Sequence, residues 1–229
     1  MIILKNVSKE FDSGFSIKNL NLSIKAGEKI NIFGPNGAGK TTFLKILAGL
    51  ITPSSGSLEI FGCSINNRTE ILKNLGFVPQ SGHFYETLTV KQNLEFYGKM
   101  YSFNKCELAE RISGLLTKFD LSAKLDIKIS QLSKGMKQRL LIIKALLHDP
   151  DLLLLDEPYS GLDLQSSEFL FSFIDSMEAK TVITATHDFD TGIREGQRII
   201  IFNQGSILFD AQWEESIPAF KSFYREKVG

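Results

Sequence analysis

The sequence predicts an α/β fold: a mostly parallel sheet flanked by helices, with an antiparallel β region and an inserted α-helical subdomain. Three observations carry that expectation. Residues 29–33 form a short apolar strand pattern that runs into a glycine-rich loop and then into an apolar-periodic helix at about 41–50. Two continuous apolar runs, 152–155 and 181–185, flank a helical pattern at about 166–177. A strand–helix–strand unit of this kind marks parallel strands buried on both faces. From about 88 to 148 the spacing is mostly helical, as in Val90, Leu94, Tyr97 and Tyr101, then Leu108, Ile112, Leu115 and Leu116.

The remaining elements follow in chain order. Residues 2–7 and 15–24 alternate as strands do, and Ala26-Gly27-Glu28 makes a turn between the second run and the strand at 29–33. A Pro/Ser/Gly turn at 52–56 leads to another strand pair around 58–61. After the strand at 181–185 come a strand at 198–202, an Asn203-Gln204-Gly205 turn, a strand at 207–209 and a mixed amphipathic tail. We expect a single domain over 1–229, with a nucleotide-binding core at about 1–80 and 150–229 and a helical subdomain at about 81–149.

Composition narrows the classes. The chain has 26 Lys+Arg against 26 Asp+Glu, so an electrostatic grip on nucleic acid or anionic lipid over the whole surface is not expected. With 43% hydrophobic and 23% charged residues it is neither disordered nor collagenous. The best candidate for a membrane span, 140–147, contains Lys144 and is followed by His148-Asp149-Pro150, so it reads as a core helix. Met1-Ile2-Ile3-Leu4-Lys5 is too short for a secretory signal. Cys63 and Cys106 form no CxxC or Cys/His cluster, which indicates neither disulfide nor zinc and fits a reduced cytosolic compartment.

Gly34-Pro35-Asn36-Gly37-Ala38-Gly39-Lys40-Thr41 matches G-x-x-x-x-G-K-[ST] in full. Glycines let backbone N–H groups turn toward an anion, and the helix that follows aims its N-terminal dipole at it. Lys40 then reaches β and γ phosphates while the Thr41 hydroxyl coordinates Mg²⁺. Chance would supply such a match on the order of once per hundred chains of this length, and its place between a strand and a helix makes chance rarer still.

Leu152-Leu153-Leu154-Leu155 runs into Asp156-Glu157-Pro158, which puts two carboxylates at the carboxyl edge of a buried strand, where open α/β sheets bind ligands. Asp156 can hold the metal, directly or through water, and Glu157 can take a proton from attacking water. The neighbouring strand ends in Thr186-His187, and an imidazole there can donate a hydrogen bond to charge developing on a γ-phosphate. Either feature alone would read as an ordinary solvated strand end; their company with the phosphate loop favours the chemistry.

Leu132-Ser133-Lys134-Gly135-Met136-Lys137-Gln138-Arg139 supplies a second helix N-terminus, with Ser133 at the N-cap position. With these elements in register the chain resembles the ATP-binding subunits of ABC transporters, over about residues 1–210, and the octapeptide resembles their LSGGQ signature. The resemblance implies that Phe11 stacks on adenine and that the loop from Gly34 through Thr42 holds the phosphates. It makes Gln80 a sensor of Mg²⁺ and γ-phosphate, and His187 the switch histidine. Ser133 and Gly135 would approach a γ-phosphate held by a second copy, and Asp163 in Ser160-Gly161-Leu162-Asp163 would lie in the loop that crosses between copies. Lys134 and Met136 depart from the commonest signature; this LSxGM form is similar to a branch dominated by exporters of drugs, lipids, polysaccharides or haem.

Expected cofactors are therefore ATP and Mg²⁺, and the expected activity is transport-coupled ATP hydrolysis. The implied partners are a second ATP-binding subunit, in a homodimer or heterodimer, and two transmembrane permease subunits or half-domains docked around residues 80–105. No nucleic acid is expected, and the implied location is the cytoplasmic face of a membrane, held there by the partners. The alternative is a soluble ABC ATPase in translation or DNA repair; such proteins usually carry two fused ATPase domains or long coiled-coil insertions. A non-ABC GTPase is weaker, because Ser122-Ala123-Lys124 has no NKxD companion.

Overall fold

The structure is a computed structural model, and it describes residues 1–12, 14–193 and 196–229. Along the chain lie β1 (Ile2–Glu10), β2 (Ser16–Ile24), β3 (Lys29–Phe33), α1 (Lys40–Leu47), β4 (Ser55–Ile60), β5 (Cys63–Ser64), α2 (Arg68–Lys73) and β6 (Leu75–Val78). The helical stretch contains α3 (Val90–Gly98), α4 (Lys105–Lys118) and α5 (Lys134–Leu146), and the chain continues through β7 (Leu152–Asp156), α6 (Leu164–Asp175), β8 (Thr181–Ala185), α7 (Phe189–Gly192), β9 (Gln197–Asn203), β10 (Ser206–Trp213) and α8 (Ile217–Val228). The strands at 29–33 and 181–185 have the bounds expected from the sequence, and most other elements differ by a few residues.

Two sheets form. An antiparallel sheet has the order β2-β1-β4-β5, and a six-stranded sheet has the order β10-β9-β3-β8-β7-β6. In the larger sheet the pairs from β9 to β6 are all parallel, and only β10 runs antiparallel, against β9. Gln204 and Gly205 both take positive φ, 47° and 78°, in the two-residue turn between β9 and β10. That is the backbone a type I′ hairpin needs to match strand twist.

Period-two alternation divides β7 between two cores. Leu152 and Leu154 face a cluster with α1 and the antiparallel sheet, including Ile2, Leu4, Phe43 and Leu47. Leu153 and Leu155 face the opposite cluster, built with α3, α4, α5 and α6 from Leu94, Ile112, Leu140 and Leu170. α1 is thus packed between the sheets, directly beneath the loop that precedes it. A third, smaller cluster joins Phe33, Ile199, Ile201 and Trp213 to Phe220 of α8.

The helical stretch is cut into pieces by local signals. Thr89 and Gln92 form a reciprocal capping box on α3, Asn104 and Glu107 do the same on α4, and Ser133 caps α5 by accepting from Met136 N. Three short elements, α2, β6 and α7, have no counterpart in the sequence expectations. Among the described residues, no helix is long and apolar enough to cross a membrane.

A candidate nucleotide site at the carboxyl edge of the parallel sheet

Four strand ends converge here. β3 leads into the glycine loop, β7 into Glu157, β8 into Thr186 and His187, and β6 into Pro79 and Gln80. The sheet order places β7 and β3 on either side of β8, so the loop and the two carboxylates share one edge.

Gly39 is the N-cap of α1, with φ 109° and no side-chain cap. A Cβ at this position would sit 2.7 Å from Ile17 Cδ1, so both the conformation and the space call for glycine. The first N–H groups of α1 are therefore left without a side-chain acceptor, as an anion-binding turn requires. Lys40 is only 7% exposed and folds back, its Nζ donating to Gly34 O at 2.7 Å and Pro35 O at 3.2 Å. Beside it opens a cleft of about 450 Å³ lined by residues 36–42, Phe15, Gln80 and Glu157.

Burial dominates the electrostatics. Asp156, 1% exposed, has its carboxyl pushed above the usual range by desolvation; the Thr41 hydrogen bond opposes this and the neighbouring Glu157 charge adds to it. Thr41 Oγ1 donates to Asp156 Oδ1 at 3.1 Å. Burial likewise lowers the Lys40 ammonium, against the pull of Glu157 and Asp156. A divalent cation between Thr41 and Asp156 would relieve the buried carboxylate. Two hard oxygen donors, leaving most positions to phosphates and water, suit Mg²⁺.

Glu157 holds a left-handed backbone, φ 50°, which is strained for a non-glycine residue. Its N–H donates to Ala185 O at 2.8 Å, tying the residue to β8. Its Oε2 lies 2.8 Å from His187 Nδ1, in a pair whose histidine side chain is 68% exposed and whose carboxylate is buried. A carboxylate and an imidazole are thus joined at the cleft wall, one facing in and one facing solvent.

The other expected site residues lie elsewhere. Gly34 and Pro35 form the base of the loop through their carbonyls and do not line the cleft. Ser133, Gly135 and Asp163 are outside it as well: Ser133 is exposed at the head of α5, and Asp163 caps α6 by accepting from Ser166 N at 2.7 Å. Phe11 is displaced from the cleft lining by Phe15, whose ring centroid is 6.0 Å away. Phe15 falls within the strand alternation expected over 15–24, whereas β2 begins one residue later, at Ser16. The signal available in the sequence is its spacing of four residues from Phe11, and Phe11 N donates to Phe15 O at 3.1 Å.

The family model described as ABC transporter matches residues 17–160, more than half of the chain. The chain belongs to the ABC transporter family. It is 33% identical over 231 residues to the ABC transporter ATP-binding protein NatA of Bacillus subtilis, covering 97% of this chain and 94% of that protein. It is also 33% identical to the Nod factor export ATP-binding protein I of Cupriavidus metallidurans, over 94% of this chain and 72% of the relative. Among solved structures, a dimeric ATP-binding cassette, MJ0796, in a post-hydrolysis state with ADP and Pi superposes with TM-score 0.86 at 31% identity, covering 94% of this chain and all of that one. As an ABC cassette the chain is an ATP-binding ATPase coupled to transport, and a soluble role in translation or repair is not favoured.

Proposed function

We propose that this chain is half of a transport motor in which two cassettes close around ATP and reopen after hydrolysis. Lys40 and the N–H groups at the start of α1 hold the β and γ phosphates, and Phe15, backed by Phe11, gives the base an aromatic wall. Bound Mg²⁺ would sit on Thr41 and Asp156, with Gln80 near it, and supply positive charge to the β–γ bridge. Glu157 is the general base for the attacking water. His187 holds that carboxylate through Nδ1 beside the position of the γ-phosphate. The Glu157–His187 pair at the cleft wall is the observation that carries this assignment.

Ser133, Gly135 and Asp163 belong to the second half of the mechanism. All three are outside the cleft of their own chain, which is what a head-to-tail pair needs, each Ser133 helix meeting the ATP of the other copy. The dimeric cassette structures support pairing. Glu157→Gln should keep ATP affinity, slow turnover by roughly a hundredfold or more and leave an ATP-bound dimer on gel filtration. Turnover near the native rate would remove Glu157 from the base role.

The membrane-crossing work falls to separate permease subunits. Tyr85, Phe96 and Met100 are exposed around α3 and form an apolar face of the kind a partner covers. The relative named for Nod factor export supports outward transport. A pull-down from solubilised membranes should recover transmembrane subunits; recovery of ribosomes in their place would overturn the transport assignment.

A further inference from the structure

Gln138 lies in the second turn of α5 and is 7% exposed. Its Nε2 donates to Pro158 O at 3.1 Å in a buried hydrogen bond. Pro158 has no N–H of its own and follows Glu157, whose φ of 50° is held at one end by the bond from its N–H to Ala185 O. On the other side, Ser160 N donates to Glu157 O at 3.1 Å and Leu162 N to Tyr159 O at 3.1 Å, so 157–162 is a chain of tight turns. The head of α5 packs along these turns. The Lys134 side chain lies across Gly161, whose Cβ, if present, would be 2.6 Å from Lys134 Cε; one on Gly135 would be 3.6 Å from Leu162 Cδ2.

We infer that Gln138 is a positioning residue for Glu157, binding the peptide after the base to the helix whose head carries Ser133. Ala185 O holds the backbone N–H of Glu157, and Gln138 Nε2 holds the carbonyl of the residue that follows it. A rotation of α5 then moves the Pro158 carbonyl, and with it the direction of the Glu157 carboxylate. The helix that meets the second copy would in this way set the geometry of its own chain's base. This rests on the reading of Glu157 as the base.

The test is a double-mutant cycle on the full chain. Gln138→Met keeps length and removes the donor. We expect kcat to fall roughly tenfold or more as the base is released, with ATP affinity close to native and the melting temperature lowered by only several degrees for the unpaired Pro158 carbonyl. In a Glu157→Gln background the same change should leave the residual rate unaltered, because a residue acting through Glu157 has nothing left to act on. An additive loss in that background, or parallel loss of ATP affinity and kcat, assigns Gln138 a structural role and overturns the inference. Gln138→Glu, of the same size, repeats the cycle if the methionine variant does not fold, and failure of both to fold overturns the inference too. Full turnover in Gln138→Met beside an inactive Glu157→Gln removes this inference alone; near-native turnover in Glu157→Gln removes the base and the inference together.

Discussion

Thr41 Oγ1 and Asp156 Oδ1 are joined at 3.1 Å, so the first turn of α1 and the last residue of β7 meet through their side chains although 115 positions separate them. The carboxylate is held there at a cost, since burial raises its protonation range. With its folded value above its unfolded one, the folded state binds more protons across that window. Stability therefore falls as pH rises through it, and neutral protein carries the full penalty. Asp156→Asn should raise the melting temperature at neutral pH while Mg²⁺-dependent hydrolysis falls by at least roughly tenfold. A lowered melting temperature would contradict the electrostatic account.

Phe15 and Phe11 separate by exposure to the cleft. Phe15→Ala should weaken ATP binding by roughly five- to tenfold, the worth of one stacked or edge-packed ring, and Phe11→Ala by less. Fluorescent nucleotide titrations of both variants measure this directly, and the reverse order would return the aromatic wall to Phe11.

His148 predicts an acid-side weakness. Its ring stacks on Tyr101 at 4.0 Å, Nε2 meets Leu75 O at 3.1 Å, and Nδ1 is buried without a partner. Burial lowers its protonation range; the Leu75 carbonyl and Asp149 oppose this, while Arg111 and Lys180 add to it. A folded value below the unfolded 6.5 means that the unfolded state takes the proton first, so stability is lost as pH falls from about 6.5 toward the folded value. His148→Gln can still donate to Leu75 O but cannot titrate. Melting curves between about pH 7.5 and 5.5 should show a shallower acid loss for the variant than for the native chain.

Phe220 is fully buried, with ring centroids 5.2 Å from Phe33, 5.6 Å from Phe189 and 5.1 Å from Trp213. Phe220→Ala should cost about 3–5 kcal/mol by denaturant titration, the usual loss for a buried ring. Because Phe33 immediately precedes Gly34, ATP affinity should fall with it, and retention of native affinity would separate α8 from the phosphate loop.

The parallel sheet was legible because its strands are continuous apolar runs closed by Gly, Pro or charge, and β3 and β8 accordingly have the expected bounds. β6 was not: four residues with Gly76 among them give no period, and only burial between β7 and α5 makes them a strand. α2, of six residues, is likewise too short for helical spacing to declare itself. Within the site, the loop, Asp156, Glu157 and His187 were readable from motif and strand ends. Phe15 and Gln138 were not, because one sat inside a strand pattern and the other inside a helix pattern. Their contacts depend on what lies opposite them in space, which spacing along the chain does not encode.

The cover that Phe220 gives Phe33 also orders events during synthesis. The glycine loop leaves the ribosome early, but the Phe33 ring beneath its strand lacks its Phe220 cover until about 190 further residues have been made. At ordinary elongation speeds that is a wait of roughly ten to forty seconds. For most of it β3 also lacks β8 and β9, its two neighbours in the sheet. A nascent chain stalled before α8 should therefore be captured poorly by immobilised ATP, and one stalled beyond it well. The phosphate grip is among the earliest parts translated and among the last to become competent.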